Sequence, residues 1–477
     1  MDRKTLSRRS FLRLAGGAMG VTALAACAPP AAAPAAAPAA APAAGEAAAP
    51  APAAAPAVAA SDPLWVILAQ DFHPDYNAFL QAEIRAYAEA NGWAVELTDA
   101  AGFASGTGEI ERIAAAVQTG DAPDLVNHTF SSAQVHNLDI VEPVSDLVAQ
   151  IEEVFGPVAP YLQQSMIFDG EWWAVPYHQR AGGGYYRRDA FDAIGVDLQT
   201  VRTYGALREV ALEASTSELF GWGITVNRSG DGNSIINRIK CGFGASWQDE
   251  TGQFIRTNSP EMIEAMNFIK ETYTDPKWAA MLPPGVLAWN DISNNEAYLG
   301  GVIAYTENAG TVYAKAVVDG NPVAELTNFL KPPGGPVNQE FHSVPSKNWY
   351  LLKNGKNPDA ARQMIVEFSS DLARVDAMLA SSPAYAIPAY TNLWDMSTFV
   401  NTNEIAAQMR TSALDDSGID AGAWPGPPSA ALTAIDESGA WNDMVNSIVT
   451  GTPVEEAVQI AHDRMVLIFK EFGLPGE

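Results

Sequence analysis

Basic residues are scarce in this chain. Twenty-eight Lys and Arg stand against 56 Asp and Glu in 477 residues, a formal net charge of −28. That balance argues against nucleic-acid binding, which needs a basic footprint, and disfavours adsorption to anionic lipid. Its simplest consequence is a dispersed, soluble, monomeric protein. Cysteine is scarcer still, with Cys27 and Cys241 alone. Cys241, in Lys240-Cys241-Gly242-Phe243-Gly244, reads as a small buried hydrophobe. A catalytic thiol would want a partnered His, and none is near it in sequence. There is no Gly-x-Ser-x-Gly elbow and no His-Glu-x-x-His zinc motif. Asp415-Asp416-Ser417-Gly418-Ile419-Asp420 is acidic but lacks EF-hand spacing. No metal and no cofactor is expected. No internal repeat of 20–50 residues is present, which argues against a solenoid or propeller.

What is present begins with an address. Arg3, Lys4, Arg8, Arg9 and Arg13 precede an apolar run over 14–26, interrupted by Gly16, Gly17 and Gly20. The run is too short for a membrane span, which needs about 20 apolar residues, and has the form of an export signal. Ser7-Arg8-Arg9-Ser10-Phe11-Leu12-Arg13 resembles the twin-arginine export motif, and Leu24-Ala25-Ala26-Cys27 resembles a bacterial lipobox. The resemblance implies lipidation of Cys27 and anchoring at the outer face of the cell membrane. Signal removal would take the net charge to about −32 and leave Cys241 without a disulfide partner. Residues 27–61 form a linker, almost entirely Ala and Pro after Cys27. It cannot bury a core and would act as a semi-rigid polyproline II spacer.

The folded part spans 62–477, a length suited to two or three domains, and 48% of the whole chain is hydrophobic. Residues 63–69 form a continuous apolar run, the pattern of a strand buried on both faces. Tyr76, Phe79, Leu80, Ile84, Tyr87 and Ala88 follow at helical spacing, closed by Asn91-Gly92. A strand at 94–97, a helix through Ile110, Ile113, Ala114 and Val117, and a strand at 124–126 continue the alternation. Further strands are predicted at 184–187, 221–226, 301–305 and 349–352, with a helix over 260–273. Asn357-Pro358-Asp359 predicts a capped helix start, and Thr452-Pro453-Val454-Glu455 has capping-box spacing. Such alternation predicts an α/β fold with mostly parallel sheets covered by helices.

Several segments together carry a family resemblance. Residues 113–126 (IAAAVQTGDAPDLV) contain a helix, a Gly-x-x-Pro-Asp turn and a strand. Gly170-Glu171-Trp172-Trp173-Ala174-Val175-Pro176 approaches a crossover. Residues 185–191 with Gly195-Val196-Asp197 match a "YNKDLF…GID" pattern, with Arg187 in place of Asn. Trp289-Asn290-Asp291 precedes Gly300-Gly301-Val302-Ile303-Ala304, and residues 356–361 and 451–457 complete the order. The chain resembles the family 1 extracellular solute-binding proteins of ABC importers, a group that includes sugar-binding proteins. The resemblance implies a two-lobed periplasmic-binding-protein-like fold of type II with the ligand in the cleft. Lobe 1 would be 62–176 with about 343–395, and lobe 2 177–342 with about 396–477. It also implies capture of a small solute, most simply a carbohydrate, by hinge closure, and delivery to an ABC permease without catalysis.

A polyhydroxylated ligand needs planar polar groups for its hydroxyls and aromatic rings for its C–H faces. The loops after predicted strands offer Gln70, Asp71, Phe72, His73, Asn127, His128, Arg180, Asn227, Arg228, Trp289, Asn290, Asp291, Glu307, Asn308 and Trp349. Tyr385 and Trp424 join them by family analogy. Each has a plainer reading, such as packing for Trp349 and Trp424 or a salt bridge between lobes for Arg180 and Arg228. Gly182-Gly183-Gly184 suggests close packing at a crossover, and Tyr185-Tyr186 would point to opposite faces of a strand. The alternatives are a non-sugar solute (a polyol, glycerol phosphate, peptide or anion) and, more distantly, a secreted glycoside hydrolase, whose carboxylate pair no sequence pattern reveals.

Overall fold

A computed structural model describes residue 60 and residues 62–100, 108–180, 182–338, 346–414 and 420–477. The export signal with Arg8 and Arg9, Cys27, the linker up to residue 59, and residues 415–419 lie outside the described residues. All that follows concerns one unit, Pro56–Glu477. Among the described residues no helix is long and apolar enough to cross a membrane.

In chain order the strands are β1 (Leu64–Ala69), β2 (Val95–Ala100), β3 (Leu125–His128), the short hairpin β4 (Ile167–Phe168) and β5 (Glu171–Trp172), β6 (Val175–Arg180), β7 (Gly183–Arg187), β8 (Tyr305–Asn308), β9 (Thr327–Leu330), β10 (Ser346–Leu351) and β11 (Ala386–Ile387). One sheet has the order β11-β6-β10-β3-β1-β2, and a second has β8-β7-β9. Within the first, β1 runs parallel to β2 and β3, but β10 pairs antiparallel with β3 and β6, as does β11 with β6. The second sheet is antiparallel throughout. The expectation of mostly parallel sheets is therefore corrected: the first sheet is mixed and the second antiparallel. Alternation is a local signal, whereas β10 arrives from more than 150 residues beyond β6 and inserts between it and β3.

Local chemistry explains the elements that match expectation. Pro74–Ala90 has Pro at its first turn, buries Tyr76, Leu80, Ile84, Tyr87 and Ala88, and stops where Gly92 adopts φ 72°. Each large apolar side chain so buried contributes about 1.5–3 kcal/mol. The core divides in two. One cluster gathers Leu64, Val66, Ile84, Val126, Trp349, Met364 and their neighbours around the first sheet. The other gathers Trp222, Ile239, Met266, Trp441 and Phe469. Tyr185 lies in the first cluster and its neighbour Tyr186 in the second, as opposite-facing strand residues must. A Cβ on Gly183 would lie 2.5 Å from Phe329 and one on Gly184 2.4 Å from Tyr305, so this crossover needs glycine for close approach.

Other expectations shift. Residues 221–226 are extended but form no ladder; Phe220 bridges Ile303, and the Gly223 N–H donates to the Tyr305 carbonyl at 2.8 Å. The strand expected at 301–305 begins at Tyr305, because Gly301 turns at φ 70°. The helix Val454–Glu471 forms without a side-chain cap from Thr452 or Pro453. Asn357 does not cap Pro358–Ser370; its amide reaches the Pro63 carbonyl and the Asp124 carboxylate at 3.2 Å each, tying the helix start to β1. β6 holds Tyr177, His178, Gln179 and Arg180 in the first sheet, so the chain crosses after Arg180. Helix Glu404–Leu414 buries Ile405, Ala406 and Met409 in the first cluster.

Candidate functional site

A cavity of about 980 Å³ lies between the first sheet and the second core cluster. That volume is at the upper end of small-molecule sites, about 300–1,000 Å³. Its walls come from both sides. From the first come the end of β3 and the loop after it (His128, Phe130, Ser131), helix Pro160–Met166 (Tyr161, Ser165), and Ser346 and Asn348 of β10. From the second come Arg228 and Ser229, helix Gly230–Gly242 (Asn233, Asn237), Asn290 and Asp291, Asp420, and helix Ala430–Ser438 (Thr433, Asp436, Glu437) with Trp441.

Local rules place these groups. Ser131, Ser229 and Ser429 each cap a helix, accepting from Gln134 N–H at 3.4 Å, Gly232 N–H at 3.0 Å and Leu432 N–H at 3.2 Å. Asn290 caps Asp291–Leu299 in a capping box with Ser293. The Asp291 carboxylate accepts the Gly230 and Asp231 N–H groups at 3.0 and 2.9 Å, closing the start of Gly230–Gly242. Four helix starts thus converge on the cavity. The His128 ring stacks on Phe130 at 3.7 Å and 11°, and its Nδ1 accepts the Thr129 N–H at 2.8 Å. The neutral ring therefore carries its proton on Nε2. Trp441 stacks on Trp247 at 4.9 Å behind the opposite wall.

The two sides touch across the cleft. Gln134 Nε2 donates to Glu437 Oε1 at 2.9 Å, Thr433 Oγ1 donates to Ser131 Oγ at 3.0 Å, and the Tyr161 hydroxyl hydrogen-bonds the Asp420 carboxylate. Carboxylates dominate the charge: Asp291, Asp420, Asp436 and Glu437 line the cavity together with Arg228. Burial, reinforced by the Glu437 carboxylate, pushes Asp436 up to about 7 against the pull of Arg228. Burial also raises Glu437 and Asp420 above the ordinary carboxylate range.

Of the residues expected to face a ligand, the cavity brings together His128, Arg228, Asn290 and Asp291. Arg228 donates to the Glu437 carbonyl at 2.6 Å. Trp289 is partly buried beside Asn290 and packs against both core clusters, its carbonyl accepting from Thr225 at 3.1 Å and Asn227 at 3.3 Å. Asn127 is fully buried in β3 beside β10, its amide 3.4 Å from the Asn348 carbonyl. Trp349 is core, 5.6 Å from Tyr177 and 5.9 Å from Phe368. Trp424 packs beside Cys241 and Ala421. Gln70 bonds Asp99 at 2.8 Å, and His73 is buried at the start of Pro74–Ala90 with Phe72 half-buried before it.

Two buried ionic networks hold most of the others. Asp71 pairs with Lys347 and accepts the Tyr385 hydroxyl, with Arg180 alongside. Burial alone would raise the Asp71 carboxyl, but Lys347 and Arg180 hold it below its usual value. Glu307 pairs with buried Arg238 and accepts the Tyr305 hydroxyl at 3.2 Å. Asn308 bonds Asn295 at 2.6 Å and Asp231 at 3.2 Å.

Sequence reasoning from strand ends does not find Tyr161, Asn233, Asp420, Asp436, Glu437 or Trp441. They sit on helices or loops that reach the cavity only by tertiary packing. Ser131, Ser229 and Ser429 carried a usable signal as helix caps.

Residues 73–374 match the family model described as bacterial extracellular solute-binding protein. The chain belongs to this family. The family's two-lobed fold is that of solved solute-binding structures. The maltose-bound MalE3 of T. maritima superposes with a TM-score of 0.71 at 16% identity, covering 84% of this chain and 99% of that one. The ribitol-bound solute-binding protein of an ABC transporter from Agrobacterium radiobacter K84 gives 0.68 at 16% identity, covering 87% and 99%. At such identities the likeness concerns the fold. A mannitol-binding protein of Pseudomonas aeruginosa is 27% identical over 116 residues, 24% of this chain. The match spans only about a quarter (26%) of that relative's length.

Proposed function

We propose that this solute-binding protein captures a polyhydroxylated solute, a sugar or sugar alcohol, in the cleft and presents it to an ABC permease. The observation that carries the reading is the composition of the cavity wall. Serine and threonine hydroxyls, asparagine amides and carboxylates interleave with the His128–Phe130 stack and Tyr161. Hydroxyl-rich ligands need that mixture of directed polar groups and flat apolar faces. Maltose and ribitol in the structural neighbours, and the mannitol of the partial relative, agree with it.

The mechanism is capture without chemistry. Asp291 and Asp420 are occupied by backbone N–H groups, and Glu437 by Gln134 of the other side. Ligand would add contacts to both walls and so favour the closed form by differential affinity. The lipid on Cys27, the twin-arginine route through Arg8 and Arg9, and a monomeric state complete the proposal. Cys27→Ala should release the protein from the membrane fraction, and retention would overturn the anchor. The test of function is a thermal-shift screen of the purified chain against sugars, polyols, amino acids, peptides and metal ions. A native-state ligand must raise the midpoint. A shift from a carbohydrate or polyol is expected, and a response to peptides or metals alone would overturn the reading.

A further inference from the structure

The cleft carries negative charge that a neutral sugar would leave uncompensated. Asp436 and Glu437 project from the last two turns of Ala430–Ser438, and Asp420 and Asp291 share the same cavity. The groups facing Asp436 are Glu437, the Arg228 guanidinium, the Asn233 amide and the Trp441 indole; Glu111 adds its charge to Glu437. Arg228 thus acts on Asp436, while Asp420 draws on buried Lys240. A second, independent observation lies on the opposite wall. Asn348 is 2% exposed, lines the cavity, and its Oδ1 has no hydrogen-bond partner. Asn233 Oδ1, across from it, has none either. A buried acceptor without a donor costs free energy until something supplies one.

We propose that the preferred solute is a polyhydroxylated molecule carrying a protonated amine, held with its cation against Asp436 and Glu437. This rests on the reading of the chain as a sugar or polyol binder and narrows its ligand. An ammonium supplies three donors and no acceptor, which suits a wall whose charge is carried by carboxylates and whose Asn348 and Asn233 oxygens lack donors. It neutralises two neighbouring carboxylates whose like charges otherwise repel. An anionic solute would meet the same carboxylates and be repelled, which separates this site from one for phosphates or acids.

The experiment is a thermal-shift and calorimetric comparison within matched series: D-glucosamine, D-glucose and D-glucuronate; D-galactosamine, D-galactose and D-galacturonate; D-glucamine, D-glucitol and D-gluconate; and chitobiose with cellobiose. In every series that shifts the midpoint, the amine should bind at least about tenfold tighter than its neutral partner, and the acid should give no shift. Asp436→Asn and Glu437→Gln should each narrow that ratio. For D-glucamine, whose alkylamine stays protonated across the range, the ratio to D-glucitol on the unsubstituted chain should also narrow as pH falls from 8 to 5, as Asp436 takes up its proton. A neutral or acidic member that binds as well as the amine, or a ratio indifferent to pH and to both substitutions, overturns this inference and leaves the sugar-binding reading standing. Silence from every series overturns the sugar-binding reading, and this one with it.

Discussion

Replacing Lys347 by Met would leave the Asp71 carboxylate buried without its main counter-charge. Lys347 is fully buried, and its Nζ donates to the Ala69 carbonyl at 2.8 Å as well as to Asp71. Removing one partner of a buried pair costs about 3–5 kcal/mol. Arg180 and the Tyr385 hydroxyl still serve Asp71, so the loss should fall at the lower end, about 3 kcal/mol. The pH dependence has a definite sign. In the unsubstituted chain Asp71 is held below the ordinary aspartate value, so its stabilisation is present above the unfolded value and lost as pH falls through the folded one. In Lys347→Met burial dominates and raises that carboxyl, which then takes up a proton on mild acidification. The deficit should therefore be largest near pH 7.5 and shrink toward pH 5. Equilibrium urea unfolding at both values, followed by tryptophan fluorescence, measures it. Asp71→Leu combined with Lys347→Met should be less destabilised than the two single changes together by at least about 1 kcal/mol. A loss below about 1 kcal/mol at pH 7.5, or strict additivity, would refute the reasoning.

Three further outcomes follow from the same geometry. Phe130→Ala should weaken solute affinity at least tenfold, about 1.4 kcal/mol, by calorimetry. The unfolding midpoint of the unliganded protein should move little, because Phe130 is only half-buried. Trp349→Ala should cost about 3–5 kcal/mol in denaturant unfolding, because that ring is fully buried among Tyr177 and Phe368. Asp436, raised to about 7, loses stability as pH climbs through that value, so Asp436→Asn should raise the thermal midpoint more at pH 8 than at pH 5.

The residues differ in how far local chemistry could expose their roles. Loops after strands are sound places to look in an α/β protein, and His128 reaches the cavity because it ends β3. Asp71 follows β1 and Glu307 lies within β8, yet ion pairs with Lys347 and Arg238 use them inside. Those partners lie 276 and 69 residues away, a separation that no local spacing rule spans. Tyr385 followed Asp71 into the same network. Asp436 and Trp441 gave no local sign of a ligand role, since carboxylates and tryptophans on amphipathic helices are common.

Sequence alone determined the family, the α/β class, several of the helices and the strands at the start of the fold. Those depend on hydrophobic period, proline and glycine positions and caps, all local properties of the chain. Tertiary structure alone decided that β10 enters the first sheet antiparallel and makes it mixed, that the second sheet is antiparallel, and which polar groups meet in the cleft. The physical reason is that burial and pairing belong to the folded surface. An Asp beside a buried Lys and an Asp beside another carboxylate look the same in sequence, and only the packing around them separates a structural ion pair from a ligand wall.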